Sequence, residues 1–433
     1  MPQVVLTIGG SDSGGGAGIQ ADLKTFSVLG LHGTSAVTAI TAQNTLGVQH
    51  IYGLEPEIVL AQLKSITDDF SIAYAKTGML YSAEIVVVVA DHLRRTGIPL
   101  VLDPVIEAEA GGRLLRPEAL EALKEHLLPL ARVATPNIFE AEALTGIRVR
   151  DMDSADLAAQ KIMGFGSGAV IVKGGHLDCT DLLAERLMVC HLSSERVKGQ
   201  NHGVGCTFSA ALTSYLAMGC SLKEAAQNAK EFAKRALRGS FHVGKGVGPV
   251  NQAAFLREEA SRYHVLCDIQ YAVDLLGNEL NLFQVVLDPE SNLGMAIPCA
   301  AKAADVASVE GGLVKDGRQV RPSGGIKFGA IGDIAQTILA AMSHDPLSRA
   351  AMNLSPKALP ACKALGLAIM EINRLDDWEV IPGIEAPGLL PDMILVKGAP
   401  GEEPRLYLLG ASATLLARRA VSLAGASGEH RKI

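Results

Sequence analysis

The residues best suited to chemistry stand together at positions 201–212, which read NHGVGCTFSAAL. Gly203 and Gly205 let consecutive backbone N–H groups turn inward, and the helix that follows adds its unpaired first-turn donors. Such a tip suits a phosphoryl group carrying negative charge. Cys206 lies in the same turn, where a helix N-terminus is expected to favour the thiolate. A Gly-rich turn before a helix is more often a plain cap, so the reading needs support from elsewhere in the chain.

Support comes first from the N-terminus. A buried-strand run at 4–8 leads into GGSDSGGGAGIQADLKTF, and 19–29 then has helical periodicity. The glycine spacing fits neither G-x-G-x-x-G nor the Walker pattern, so a Rossmann cofactor or P-loop is not supported. Asp12, Gln20 and Asp22 make a ligand loop the better reading of this turn. Further β-type runs fall at 34–41, 72–77, 100–102, 133–134 and 169–172, separated by helical stretches at 57–67, 82–95, 117–128 and 154–163. That alternation predicts an α/β fold with a mostly parallel sheet covered by helices on both faces. Polar residues recur just past the strand ends: Gln43 and Asn44, then Lys76, then Asp103, then Asn137 with Glu140, then Lys173 and His176. Each alone reads as a cap, a turn or a solvated charge. Their recurrence along one sheet edge predicts a site.

At 433 residues the chain exceeds one ordinary core, which predicts two domains. Its 48% hydrophobic and 20% charged content is that of a soluble globular protein, and a net charge of -7 argues against a nucleic-acid or membrane-surface role. Seven scattered cysteines without C-x-x-C spacing read as reduced thiols. With no signal peptide and no apolar run near bilayer length, a cytoplasmic protein is expected.

Over roughly residues 4–252 the blocks TIGGSDSGGGAGIQADLKTF, AITAQNTLGVQ, KTGML, LDPV, TPNIFEAEALTG, VKGGH, HGVGCTFSAAL and GKGVGPV closely resemble the hydroxymethylpyrimidine/phosphomethylpyrimidine kinases of thiamine biosynthesis, which are ribokinase-like. The resemblance implies ATP and Mg²⁺, and two successive phosphorylations of an aminopyrimidine. It implies Cys206, Gly205 and Gly203 at the transferred phosphoryl, and Gln43, Gly10, Asp22, Met79 and Val105 around the pyrimidine. Asp103, Asn137, Glu140, Lys173 and Val204 fall to the ATP phosphates, with Glu140 toward Mg²⁺. A homodimer is implied as well. Two departures stand out: Val204 replaces the usual threonine, and Glu109-Ala110-Gly111 replaces a lysine-containing lid segment. Fold alone leaves open another vitamin precursor, such as pyridoxal.

Residues 1–260 are thus read as the kinase domain, followed by a polar connector at 251–262, and 261–433 as a second α/β domain. The latter resembles the archaeal-type thiamine-phosphate synthase, with Lys327 and Gly329 in a candidate phosphate cradle. Where synthase-competent relatives carry an Arg-His pair, this chain has Gly332 and Asp333. Thiazole phosphate or thiamine phosphate is the implied ligand, and catalysis and ligand sensing both remain open. No helix-turn-helix or basic recognition helix is present.

Overall fold

The computed structural model describes residues 2–107, 112–175, 177–186, 188–287, 291–298, 300–373, 390–398 and 403–429. Contacts divide the chain into two units, Met1–Leu256 and Arg257–Ile433.

The first unit is built on nine strands: β1 (Val4–Asp12), β2 (His32–Asn44), β3 (Gly47–Gly53), β4 (Ile72–Thr77), β5 (Leu100–Leu102), β6 (Ala131–Ala134), β7 (Val170–Val172), β8 (Thr180–Glu185) and β9 (Met188–Ser193). Their order in the sheet is β3-β2-β1-β4-β5-β6-β7-β8-β9. The block from β2 to β7 is parallel, and β3, β8 and β9 add antiparallel edges. The predicted parallel strands are all present. The edge hairpins escape the sequence pattern because their short strands mix apolar and polar residues on an exposed face. Pairing with β3 also carries β2 through Gln43 and Asn44, so these residues lie inside the strand and not beyond it.

The helices of this unit are α1 (Gly18–Val28), α2 (Pro56–Thr67), α3 (Ala83–Thr96), α4 (Pro117–Ala122), α5 (Ile138–Thr145), α6 (Met152–Gly164), α7 (Val204–Ala217) and α8 (Leu222–Arg238). Val59 and Leu63 of α2, Val86 and Val89 of α3, and Ala158 and Ile162 of α6 pack on one face of the sheet with Leu6, Ile8 and Leu102. Phe208 and Leu212 of α7 and Phe232 of α8 cover the other, against Val101, Val133 and Ile171. Each large apolar side chain so buried contributes roughly 2 kcal/mol relative to exposure, enough to hold the sheet's carboxyl edge rigid. The helix predicted over 117–128 is shorter than expected. It passes into a wide π turn at Leu123–Leu127 and a 3-10 turn at Leu128–Leu130, where Pro129 has no N–H to continue the ladder.

The expected polar connector at 251–262 is instead the start of a long helix, α9 (Ala254–Gly277). Its charges serve a solvated helix face, with Arg262 and Glu258 paired one turn apart at 3.7 Å. In the second unit follow β10 (Leu293–Ala296), β11 (Val306–Val309), β12 (Leu313–Asp316), β13 (Gln319–Pro322), β14 (Ile326–Phe328), α10 (Asp333–His344), β15 (Ala350–Leu354), α11 (Leu359–Ala364), β16 (Ile369–Ile372), β17 (Met393–Val396), β18 (Arg405–Gly410) and α12 (Ala413–Glu429). The larger sheet runs β14-β11-β10-β15-β18-β17-β16 and is antiparallel except for the β16–β17 pair. Helices α9 and α12 cover one face and α10 the other.

Candidate functional site

The carboxyl edge of the parallel block collects the polar residues, as the strand-end pattern predicts. Asp12 ends β1 and organises the glycine loop after it. Its carboxylate accepts from the N–H of Gly14 at 2.8 Å, of Gly16 at 3.0 Å and of Ala17 at 2.8 Å, and His202 Nε2 lies 3.0 Å from Oδ2. Burial works against the charge, yet the hydrogen bond from His202 and the N–H donors of Ala17 and Gly14 hold the Asp12 carboxyl below its ordinary value. Gln20 is also spent within the loop, accepting from Asp12 N and donating to Ser11 Oγ. The side chains of Asp12 and Gln20 therefore shape the turn rather than face a ligand.

His202 ties this loop to the second one. Its Nε2 is also 3.5 Å from the side-chain amide of Gln43, whose other end reaches Thr41 Oγ1 at 3.2 Å. The two glycine loops touch directly. A Cβ on Gly203, which has φ +84°, would stand 1.9 Å from the Gly16 carbonyl oxygen, and one on Gly16 would stand 2.2 Å from His202 Cδ2. Only glycine permits that approach.

Helix α7 starts at the contact. Gly203 is its N-cap, and Thr207 donates the first bond back to Gly203 at 2.9 Å. Val204 N–H is taken by Asn201 O at 3.0 Å, and the Val204 side chain packs against the apolar core. The N–H groups of Gly205 and Cys206 belong to the turn that has no intrahelical acceptor. Lys173 Nζ approaches this tip to 3.5 Å from the position a Gly205 Cβ would take. The ammonium is held there by Asp103 at 2.9 Å and Glu140 at 4.0 Å. Asp103 in turn accepts from Ser209 Oγ of α7 at 2.9 Å and from Thr135 Oγ1 at 3.1 Å. Although burial favours neutral Lys173, the two carboxylates raise its pKa and keep it charged.

Asn137 and Glu140 form a capping box on α5. Asn137 Oδ1 accepts from Glu140 N at 2.9 Å, and Glu140 Oε2 accepts from Asn137 N at 2.7 Å. The box anchors the helix and at the same time aims Glu140 at Lys173. Burial pushes the Glu140 carboxyl up to about 7, against the pull of Lys173 and with reinforcement from Asp103. Since the folded value lies above the ordinary 4.5, the protonated carboxyl contributes stability that is complete below pH 4.5 and lost as pH rises through about 7. Glu140→Gln is therefore expected to flatten the dependence of thermal midpoint on pH between 5 and 8; parallel curves for variant and parent would contradict this.

Below the tip lies a buried ion pair. Lys76 Nζ, fully buried, is 3.0 Å from Asp22 Oδ2, and Thr7 Oγ1 donates to the same oxygen at 2.6 Å. Burial opposes the Lys76 charge, but Asp22, Cys206 and Asp103 around it drive its pKa upward. Asp22 is 1% exposed, and its carboxylate is engaged by Lys76 and Thr7. Cys206 requires the opposite correction. The expected thiolate does not form: burial pushes the thiol up to about 11, and Lys76 and the Gly18 N–H offset this only in part against Asp22 and Asp103. Desolvation and two buried carboxylates outweigh the helix tip.

Met79 and Val105 meet in one apolar cluster with Ala39, Val48 and Leu114, and Met79 Sδ lies 2.8 Å from where a Gly10 Cβ would stand. The cluster offers a dry wall for a ring. Glu109 and His176 lie outside the described residues. Among the described residues no group of three or more His, Cys, Asp or Glu side chains is placed to hold a metal ion. The oxygen donors of Asp103 and Glu140 suit a hard divalent cation that keeps its waters and is carried in by phosphates.

In the second unit Lys327 is exposed and paired with Glu310 at 2.8 Å, and Gly329 follows β14 with φ +88°. Asp333 begins α10, but its carboxylate turns to Arg405 and to Tyr407 Oη, the latter at 3.1 Å.

The sequence points to Gln43 and Asp12 but not to the His202 ring that lies against both. His202 sits beside Gly203 in the same motif, and only its position there signalled its importance. Lys76 was visible as a strand-end polar residue without a partner.

Sheet order and edge geometry define a ribokinase-like α/β protein, a class that gathers small molecules and phosphate at one end of its strands. A family model described as phosphomethylpyrimidine kinase matches residues 12–251, and the chain belongs to that family. A second, described as thiamine-phosphate synthase ThiN, matches residues 268–422. The hydroxymethylpyrimidine/phosphomethylpyrimidine kinase of Haemophilus influenzae is 50% identical over 262 residues, covering 58% of this chain and 97% of that protein. Its Streptomyces coelicolor counterpart is 46% identical over 260 residues, covering 59% and 97%. Among solved structures, an ADP complex of Bacillus subtilis pyridoxal kinase aligns with a TM-score of 0.55 at 38% identity, covering 59% of this chain and 99% of that one. No helix among the described residues is long and apolar enough to cross a membrane.

Proposed function

We propose that the first unit transfers the γ-phosphoryl group of ATP to 4-amino-5-hydroxymethyl-2-methylpyrimidine and then to the phosphate just attached, giving the diphosphate for thiamine biosynthesis. The observation that carries this reading is the helix tip at Gly203, Gly205 and Cys206 with the Lys173 ammonium against it. In the first step the hydroxymethyl oxygen forms a bond to the γ-phosphorus, the bond to the β-bridging oxygen breaks, ADP leaves, and the alcohol proton passes to solvent. In the second the attacking phosphate oxygen is already anionic and needs no base.

Such transfers depend on placement and charge neutralisation more than on covalent help. The N–H groups of Gly205 and Cys206 receive the phosphoryl oxygens, and Lys173, fixed by Asp103, neutralises the charge in flight. Mg²⁺ bound with ATP would be held by its phosphates with Glu140 and Asp103 alongside, and would spread the triphosphate charge. Asn137 keeps Glu140 aimed. Gln43 reads the ring edge, and Gly10, Met79 and Val105 close on its faces. Val204 contributes backbone position only.

A neutral thiol at Cys206 orients the hydroxymethyl group and does not take its proton. Cys206→Ala is therefore expected to slow the first transfer about tenfold and the second by less than about threefold. Single-turnover rates for the two substrates check this; equal and large losses in both would contradict it. The same reading has the enzyme act as a cytoplasmic homodimer, which sedimentation of the intact chain tests.

For the second unit the pairing of Asp333 with Arg405 and Tyr407 favours a thiamine phosphate-sensing module over a synthase, since it sets a carboxylate at the start of α10 where a pyrophosphate would need donors. Thiazole phosphate remains the ligand of the synthase alternative. The intact chain is expected to bind thiamine phosphate in calorimetry without forming it from the pyrimidine diphosphate and thiazole phosphate; product formation would reverse that assignment.

A further inference from the structure

Lys173 follows the last residue of β7, and the peptide planes on both sides of its Cα are tied down. Its own N–H donates to the Pro136 carbonyl at 2.8 Å. The next N–H, that of Gly174, donates to Asp181 Oδ1 of β8 at 2.8 Å in a buried bond. The β7–β8 ladder ends at the pair Val172 and Leu182, so a side chain supplies the acceptor that the sheet no longer provides. Asp181 is 7% exposed, and its other oxygen lies 2.7 Å from Lys230 Nζ of α8. Each carboxylate oxygen thus has one task. Ile171 and Leu183 face the core under α7 and α8, so strand alternation sends Lys173 and Asp181 to that same side. Glycine is required at 174, since a Cβ there would stand 1.7 Å from the Thr180 carbonyl oxygen. Asp178 and Cys179 lead into β8 in the left-handed region, at φ +47° and +55°, a strained approach that the Asp181 contacts help to hold.

We infer that Asp181, steadied by Lys230, is a positioning residue for phosphoryl transfer: by holding the peptide after Lys173 it sets the direction in which that side chain leaves the backbone. This rests on the kinase reading and adds a residue to it. Asp103 and Glu140 hold the ammonium at its far end, at 2.9 Å and 4.0 Å. A flexible four-carbon stem reaches such contacts from a range of backbone directions, and anchored peptides narrow that range. Placement of the charge matters because a shift near 1 Å at a reacting centre costs about 10²-fold. Losing one anchor among several moves the ammonium less than that. Asp181 acts through Lys173 and needs no contact with either substrate.

The test is a double-mutant cycle in the full-length enzyme, read as kcat for 4-amino-5-hydroxymethyl-2-methylpyrimidine. Asp181→Ala is expected to lower kcat about tenfold in the parent background. In Lys173→Met, where the group it positions is gone, the same change is expected to cost less than about twofold. The KM for the pyrimidine is expected to stay within about twofold of the parent value. Asp181→Asn keeps an acceptor for the Gly174 N–H and is expected to stay within about threefold of the parent kcat. Lys230→Met leaves the carboxylate with one anchor and is expected to cost about threefold, again only where Lys173 is present. A folded Asp181→Ala with the parent kcat overturns the inference. So does a tenfold loss in both backgrounds, which a general loosening of the fold would give. Should that variant not fold, an unchanged kcat in Lys230→Met overturns it. A parent active on the aminopyrimidine with unaltered variants removes only the role of Asp181, whereas a parent inactive on it removes the kinase reading as well.

Discussion

Lys173→Met is expected to lower kcat for both phosphoryl transfers by about 10³-fold, the largest single loss in the site. The ammonium lies beside the α7 tip, 3.5 Å from the Gly205 Cβ position, and it is held by Asp103 at 2.9 Å. Methionine fills the same channel without charge, so the phosphoryl group would lose its neutralising partner at the point where charge moves. The KM for the pyrimidine is expected to change less than about threefold, because the proposed ring contact is Gln43 and not Lys173. Asp103 keeps Ser209 and Thr135 as donors, which limits the cost of leaving its charge without the lysine. Steady-state rates with thermal melting alongside separate the two effects. A variant that folds and retains more than a tenth of the parent kcat would contradict the assignment.

Gly203→Ala is expected to abolish both transfers to below about 1% of the parent rate while leaving the sheet intact. The new methyl group would meet the Gly16 carbonyl oxygen at 1.9 Å. Both atoms are fixed to backbone, so no rotamer relieves the overlap, and the loops must part. A shift near 1 Å at a reacting centre costs about 10²-fold. It would also carry His202 away from Asp12 and Gln43. Positive φ adds strain of its own, and Gly219→Ala isolates that part: Gly219 has φ +90° at the far end of α7 with nothing within 4 Å of a Cβ. That control is expected to lose about 1–2 kcal/mol of stability and to keep its rate. Equal activity in the two variants would show that the loop contact is dispensable.

The sequence made the parallel strands legible because a strand buried on both faces reads as an apolar run, and the polar residue after each run marks the edge where ligands collect. It therefore brought Gln43, Asp103, Asn137, Glu140 and Lys173 to one edge. What it did not carry was electrostatic sign. A helix tip beside Cys206 points to a thiolate, and only folding buries the thiol, with Asp22 and Asp103 adding to that burial, and so reverses it. Nor does the sequence show that Asp22 is paired with Lys76, since the two are 54 positions apart. The role of His202 is not legible in the sequence, because Asp12 and Gln43 are separated from it by 190 and 159 positions, beyond the reach of any local pattern. In α9, charges at helical spacing read as a polar connector, although Glu258 and Arg262 sit one turn apart on a solvated face. The strand β2 was cut short because its last residues owe their extended form to pairing with β3 rather than to their own preference.

The central claim is that a glycine-cornered helix tip and Lys173 move phosphoryl groups onto a small heteroaromatic alcohol. It is tested most directly by following the purified full-length chain with ATP, Mg²⁺ and 4-amino-5-hydroxymethyl-2-methylpyrimidine by phosphorus-31 NMR. The account expects a phosphomonoester resonance to appear and then give way to a diphosphate, with one ADP released at each stage. Hydrolysis of ATP to free phosphate without any ester on the pyrimidine, by a folded protein, would contradict it.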